Sequence, residues 1–316
     1  MSQVKTHPSL ALLLMLIVCL ALPAHAFQGE KKKKKAPPTG TPVLWRDPGD
    51  VSTLDLLAGP GGEEMKPDLT TLTFIEEQKG GYSKKYRGRD AKGRVWVAKI
   101  GKEAQPETAA NRLLWAAGYV TEITHLAPSV TIPGKGTFEN VRFEARPEEV
   151  ERAGEWRWDR NPFTGTREFN GLKILMAFIE NWDLKDSNNQ VLYVRGELHH
   201  VVSDLGATFG KTGGQNSPMA LLRQVKGSRN EPGDYVSDKF IEAVEGGQVR
   251  FHFSGKNSGL MRGISVSDAR WLGEILSRLS DRQIEDAFRA ANYTPDEVRL
   301  LASAVRARIN ELANLT

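Results

Sequence analysis

From Leu69 onward, apolar and polar positions alternate in short runs broken by glycine turns, the period of half-buried β-strands. TLTFIEE, KKYRGRD and VWVAKIG predict three strands joined by turns at Gly80-Gly81 and around Ala91-Lys-Gly93, an antiparallel meander. The period then lengthens. In ETAANRLLWAAGY (107 to 119) Ala, Leu and Trp recur at helical spacing and Gly118 lies near the end of the run, which predicts an amphipathic helix. HLAPSVTI and FENVRFEAR return to strand-like runs.

The second half is mainly helical. GLKILMAFIENW (171 to 182) is an apolar-rich helix, followed by two short strands, QVLYVRG and HHVVSDLG, around a Gly-Glu turn. Residues 211 to 260 are rich in Gly, Ser and Asn and read as loops, with a helix near Val236 to Val244. SDARWLGEILSRL and SDRQIEDAFRAA predict helices, and Thr294-Pro-Asp-Glu297 is a capping box with Pro at the first helical position, opening EVRLLASAVRARINEL. No internal repeat is visible. Strands in the first half and helices in the second make an α+β protein.

The ends change this picture. Lys5, the apolar run LALLLMLIVCLAL and Pro23-Ala-His-Ala26 have the layout of a secretory signal peptide, residues 1 to 26, cleaved after Ala26. The expected destination is periplasmic or extracellular. Val18 before Cys19 does not match a lipoprotein signal. Cleavage removes the sole cysteine, so the mature chain has neither a disulfide nor a thiol nucleophile. Net charge falls only from +4 to +3, because Lys5 is the single charged side chain lost, and nothing in the balance calls for nucleic acid. Residues 27 to 68 are rich in Pro, Gly and charge and read as a linker, with one short ordered element around Thr53 to Leu57. Within it Lys31 to Lys35 reads as a solvated tether able to touch an anionic envelope surface.

Candidate chemistry centres on ENWDLKDSNN. Asp183-Leu-Lys-Asp-Ser-Asn188, with Asp204-Leu-Gly206 following 21 positions later, resembles the catalytic loop and metal-binding segment of the protein-kinase-like superfamily. Upstream, Val97-Ala-Lys-Ile100 ends the third strand, as the nucleotide-binding lysine does in that superfamily, and Glu107 opens the next helix. The resemblance implies a bilobal fold, with a small antiparallel lobe over residues 69 to 145 and a mainly helical lobe over residues 146 to 316. It implies that Lys99, oriented by Glu107, holds the phosphates of ATP. Asn188 and Asp204 would hold Mg2+, Asp183 would accept the proton of an acceptor hydroxyl, and Lys185 would neutralise the transferring phosphoryl group. Gly80, Gly81 and Ser83 stand where a phosphate loop would be, similar to HipA-like and phosphatidylinositol-kinase-like members.

The departures place the resemblance in an atypical branch, which includes secretory-pathway kinases. Asn181-Trp182 replaces His-Arg before Asp183, and no GxGxxG precedes Lys99. No Ala-Pro-Glu follows Asp204-Leu-Gly206. Lysine and glutamate are only eight positions apart, which makes Glu103 a rival of Glu107. The expected function is an exported kinase acting on a protein, lipid or sugar hydroxyl; the alternative is a catalytically silent scaffold of the cell envelope. Other chemistry is weaker. His199 and His200 point to opposite faces of a strand, no GxSxG supports a hydrolase, and Trp156 and Trp158 read as half-buried packing or as a carbohydrate or partner surface.

Overall fold

β-branched and aromatic residues at alternate positions build the first lobe. The computed structural model describes residues 36–80, 83–210 and 230–316, and one compact unit, Pro37–Thr316, holds everything that follows. The segments read as a signal peptide, the Lys31 to Lys35 tether and Gly81 lie outside the described residues, as does the first part of the loop-rich stretch. Among the described residues, no helix is long and apolar enough to cross a membrane.

Strands β2 (Thr73–Gln78), β3 (Lys84–Arg89), β4 (Val95–Ile100), β5 (Thr124–Ile132) and β6 (Gly136–Ala145) form a five-stranded sheet in the order β2-β3-β4-β6-β5. Every pairing in it is antiparallel. Tyr86, Trp96, Ala98, Val130, Val141 and Phe143 fill one small core. The odd positions of β4 (Val95, Val97 and Lys99) point the other way, because successive strand side chains alternate faces.

Helix α1 (Ala104–Ala116) follows β4 and starts three residues earlier than the sequence pattern predicts. Pro106 lies in its first turn, where the missing N–H has no helical partner to lose, so it does not delay the start.

The second lobe opens with a second sheet. β7 (Glu151–Gly154), β8 (Asn189–Val194) and β9 (Glu197–Val202) pair antiparallel, and β1 (Thr41–Val43) adds to β9 in parallel, giving the order β1-β9-β8-β7. The stretch read as a linker is therefore part of the fold from its first described residues: Leu44, Val51 and Leu56 are buried in the main core. Pro and Gly punctuate that stretch, and its buried apolar side chains anchor it between exposed polar ones.

Helices α2 (Arg167–Phe178), α3 (Pro232–Ser237), α4 (Val266–Ser277), α5 (Asp281–Arg289) and α6 (Pro295–Ala313) complete the lobe. Thr166, Ser265, Ser280 and Thr294 cap four of them through side-chain oxygens, two as full capping boxes with Gln283 and Glu297. The helix expected near Val236 to Val244 is instead the end of α3 and then a hairpin, β10 (Ile241–Glu245) and β11 (Gln248–Phe251). Gly246 and Gly247 both take positive φ, 58° and 75°, the backbone a two-residue hairpin turn requires. The result is the bilobal α+β arrangement: a small β-rich lobe with one helix, and a mainly helical lobe that carries a sheet of its own.

Candidate active site

Spacing along α1 decides how Lys99 is held. Glu103 and Glu107 are four residues apart and lie on one helix face. Both reach the Lys99 ammonium, at 3.1 and 2.9 Å, so the two rivals share the role. Asp204 Oδ1 completes the shell at 3.1 Å. Lys99 is 2 % exposed, and burial alone would strip its charge. The Glu107, Asp204 and Glu103 carboxylates outweigh that burial and push the ammonium above its usual range.

The β8–β9 hairpin brings Asn188 to Asp204. Its register pairs Asn189 with Val202, so the residues just outside both strand ends are neighbours. The Asn188 carbonyl accepts from the Ser203 and Asp204 amides at 2.8 and 3.1 Å, and the Asn188 side-chain Nδ2 donates to the Asp183 carbonyl at 2.7 Å and to its Oδ2 at 3.3 Å. Gly206 donates its N–H to Asp204 Oδ1 at 3.2 Å. A Cβ at Gly206 would stand 2.6 Å from that of Glu103, so the close approach of Asp204-Leu-Gly206 to α1 excludes any side chain there. Burial opposes ionisation of Asp204, yet Lys99 and the Gly206 N–H hold it below the usual carboxylate range.

Asp183 and Lys185 belong to the same loop, with Lys185 Nζ 2.6 Å from Asp183 Oδ2. A second lysine, Lys256, sits 2.8 Å from Asp183 Oδ1; no sequence pattern marks it, because it lies in the loop-rich stretch beyond the helix expected near Val236 to Val244. Against burial, the two lysines hold Asp183 below its usual range. Trp156 and Trp158 brace this loop from behind and are buried rather than half-exposed or a surface. Trp156 Nε1 donates to the Val201 carbonyl at 2.9 Å, its own carbonyl accepts from Asn189 at 3.2 Å, and the Trp158 amide donates to Asp186 at 3.1 Å. His199 meets Glu197 and lines the larger cavity described below, whereas His200 is buried against Phe163 and Trp156.

Lys99, Asn188 and Asp204 line one cavity of about 320 Å³. An adjoining cavity of about 800 Å³, sharing Gln78, Arg146 and Arg152 with it, has apolar walls from Ile75, Val95, Ile123, Val150, Leu192 and Val194. Ser83 reaches the site, donating to Glu103 at 2.8 Å. Gly80 does not line this cavity and lies in a separate depression with Glu76 to Lys79 and Lys85.

A buried charge network forms the back of the smaller cavity. Arg142, paired in register with Lys99, contacts Glu107 at 3.1 Å and Glu144 at 2.8 Å. Glu144 also meets Arg146 and Arg152, and Arg152 meets Glu122. Burial and the neighbouring Glu144 carboxylate push Glu122 up to about 8. Against burial, Arg146 and Arg142 hold Glu144 well below its usual range. The sequence signal for this network is the Arg-Phe-Glu-Ala-Arg alternation of β6, whose polar face reads as solvent-facing but faces the cleft.

The oxygens present suit a small hard cation. Among the described residues no group of three or more His, Cys, Asp or Glu side chains is placed to hold a metal, so a cation here would draw its remaining ligands from phosphate and water. Lys99 and Gly206 both meet Asp204 through Oδ1, and the Asn188 amide group spends its Nδ2 on Asp183. Asp204 Oδ2 and Asn188 Oδ1 are the atoms left for the cation.

No family model matches the chain, and no curated protein matches it. Among solved structures the chain is similar to the Helicobacter pylori proinflammatory kinase CtkA, with 10 % sequence identity and a TM-score of 0.49. That match covers 78 % of this chain and 96 % of the other.

Proposed function

We propose that the mature protein is an exported phosphotransferase that moves the γ-phosphate of ATP to a hydroxyl. The observation that carries this reading is the meeting of one ammonium, Lys99, with Glu107 at 2.9 Å and Asp204 at 3.1 Å, one carboxylate from each lobe, on the cavity that Asn188 also lines. The apolar walls of the larger cavity suit a flat base, and the smaller cavity suits the phosphates. Lys99 holds phosphate oxygens, while Glu103 and Glu107 keep its charge in place. Asp204 and Asn188 supply oxygens for Mg2+, which when bound neutralises phosphate charge. Asp183 orients the acceptor hydroxyl and takes its proton. The signal-peptide pattern supports export, and a compartment outside the cytoplasm must then supply ATP.

The test is Mg2+-dependent ATP binding by purified residues 27–316, followed by mass analysis for phosphorylated products. Binding lost in Asp204→Ala with an unchanged melting temperature supports the reading. A folded protein that neither binds ATP nor labels itself is the silent scaffold.

A further inference from the structure

Both oxygens of Asp183 are occupied by ammonium groups: Lys185 on Oδ2 at 2.6 Å and Lys256 on Oδ1 at 2.8 Å. Lys256 comes from 73 residues further along the chain and is fixed in place by its backbone. Its N–H donates to the Trp182 carbonyl at 2.7 Å, and Asp183 and Lys256 pair as an isolated parallel bridge. The next residue, Asn257, donates from Nδ2 to the Leu184 carbonyl at 2.5 Å. The preceding one, Gly255, lies so close to Trp182 that a Cβ would stand 2.6 Å from its Cα. Three consecutive residues are thus seated on three consecutive residues of the loop, which places Lys256 by construction.

Two lysines on one carboxylate leave a net positive charge beside the group that must receive a proton. Asp204, the carboxylate of the neighbouring segment, is already held by Lys99. The Lys185 and Lys256 side chains are 44 % and 37 % exposed, against 15 % for Asp183, so the two lysines are more open to solvent than the carboxylate they hold. A hydroxyl reaches an Asp183 oxygen by displacing an ammonium. An exposed ion pair is exchanged at little cost when a second anion receives the cation, and a neutral alcohol offers none.

We infer that the phosphoryl acceptor is a hydroxyl compound carrying an anionic group beside that hydroxyl, and that Lys256 selects it. This rests on the phosphotransferase reading. The anionic group draws Lys256 off Oδ1, and the freed oxygen accepts the hydroxyl proton. The acceptor oxygen bonds to the γ-phosphorus as the bond to the β–γ bridging oxygen breaks, and ADP leaves with that electron pair.

The experiment uses the mature protein, with Lys256→Met and Lys256→Arg, and three probes: glycerol, glycerate and glycerol 3-phosphate. Binding is followed by calorimetry, which needs no turnover, and ATP consumption is followed with each probe. The two anionic probes are expected to bind more tightly than glycerol and to stimulate ATP consumption. Lys256→Met should weaken their binding by about tenfold and Lys256→Arg should restore most of it. Anionic probes that bind no better than glycerol, or equally well to Lys256→Met, overturn the inference. ATP affinity of the wild type is measured alongside: if it is present while the anion preference is absent, the acceptor class is wrong and the phosphotransferase reading stands. If ATP does not bind, the phosphotransferase reading falls, and with it the acceptor class, whatever the anions do.

Discussion

The Lys99 ammonium lies 3.1 Å from Asp204 Oδ1, a contact between β4 of the small lobe and the segment that follows β9 of the large one. Replacing Lys99 leaves Glu103, Glu107 and Asp204 without their shared cation. Lys99→Met is expected to weaken ATP binding by about 2 kcal/mol or more, on the order of thirtyfold. Asp204→Asn should remove the Mg2+ dependence of what binding remains. Calorimetric titration with and without Mg2+ checks both, and equal affinities across the three proteins would remove nucleotide from this cleft.

Arg308 of α6 is a structural counterpart. Its guanidinium donates to the Phe178 carbonyl at 2.7 Å and to Glu180 at 2.5 Å, and lies 3.9 Å from the Tyr235 ring centroid. It ties the end of α2, just before the Asp183 loop, to α3. Arg308→Met removes the cation from a buried pair and should destabilise the fold by about 3–5 kcal/mol. Urea unfolding measures this, and a loss under 1 kcal/mol, roughly the worth of an exposed ion pair, would contradict it.

His125 makes stability depend on acid. It is buried edge-on against Trp96, with Nε2 lacking a hydrogen-bond partner among the described residues. Burial, with the Arg112, Lys66 and Arg94 charges, pushes it down to about 3. The unfolded chain takes up a proton near pH 6.5 and the native imidazole does not, so this contribution is lost as pH falls from 6.5 toward 3. At pH 5 the loss is on the order of 2 kcal/mol. His125→Phe should flatten the dependence of unfolding free energy on pH in that window, and an unchanged slope would show that His125 does not set it.

Residues 37 to 68 are testable by deletion. A chain beginning at Pro37 should fold, whereas one beginning at Leu69 loses Leu44, Val51 and Leu56 from the core together with β1. Each buried leucine or valine contributes about 1.5–3 kcal/mol, so the shorter chain is expected to be largely unfolded or insoluble. A cooperative melt from it at the full-length temperature would show that these residues are dispensable.

Strand alternation made the meander legible from its side chains, and the order Lys99, Asp183, Asn188, Asp204 made the cleft legible because those residues sit at element ends. What stayed hidden depended on contacts far apart along the chain. Lys256 has no local pattern, since its place is set by backbone bonds to Trp182 and Leu184. Arg142 and Glu144 lie on a polar strand face that is turned inward by α1, through Glu107, and by Arg152 of β7. The β10–β11 hairpin has one local signal, Gly246-Gly247 between alternating residues, inside a stretch whose composition otherwise reads as loops and a helix. Leu44, Val51 and Leu56 were hidden by the Pro and Gly around them.

The parallel pairing of β1 with β9 also orders events in time. Arg46 and Glu197 are ion-paired 151 residues apart, so β1, the first strand among the described residues, must wait for most of the chain before it can dock. The five-stranded sheet needs only nearby sequence and can form earlier, because local contacts close at lower entropic cost than distant ones. Docking of β1 is then a late event, and until it happens the edge of β9 is open to any other strand that reaches it.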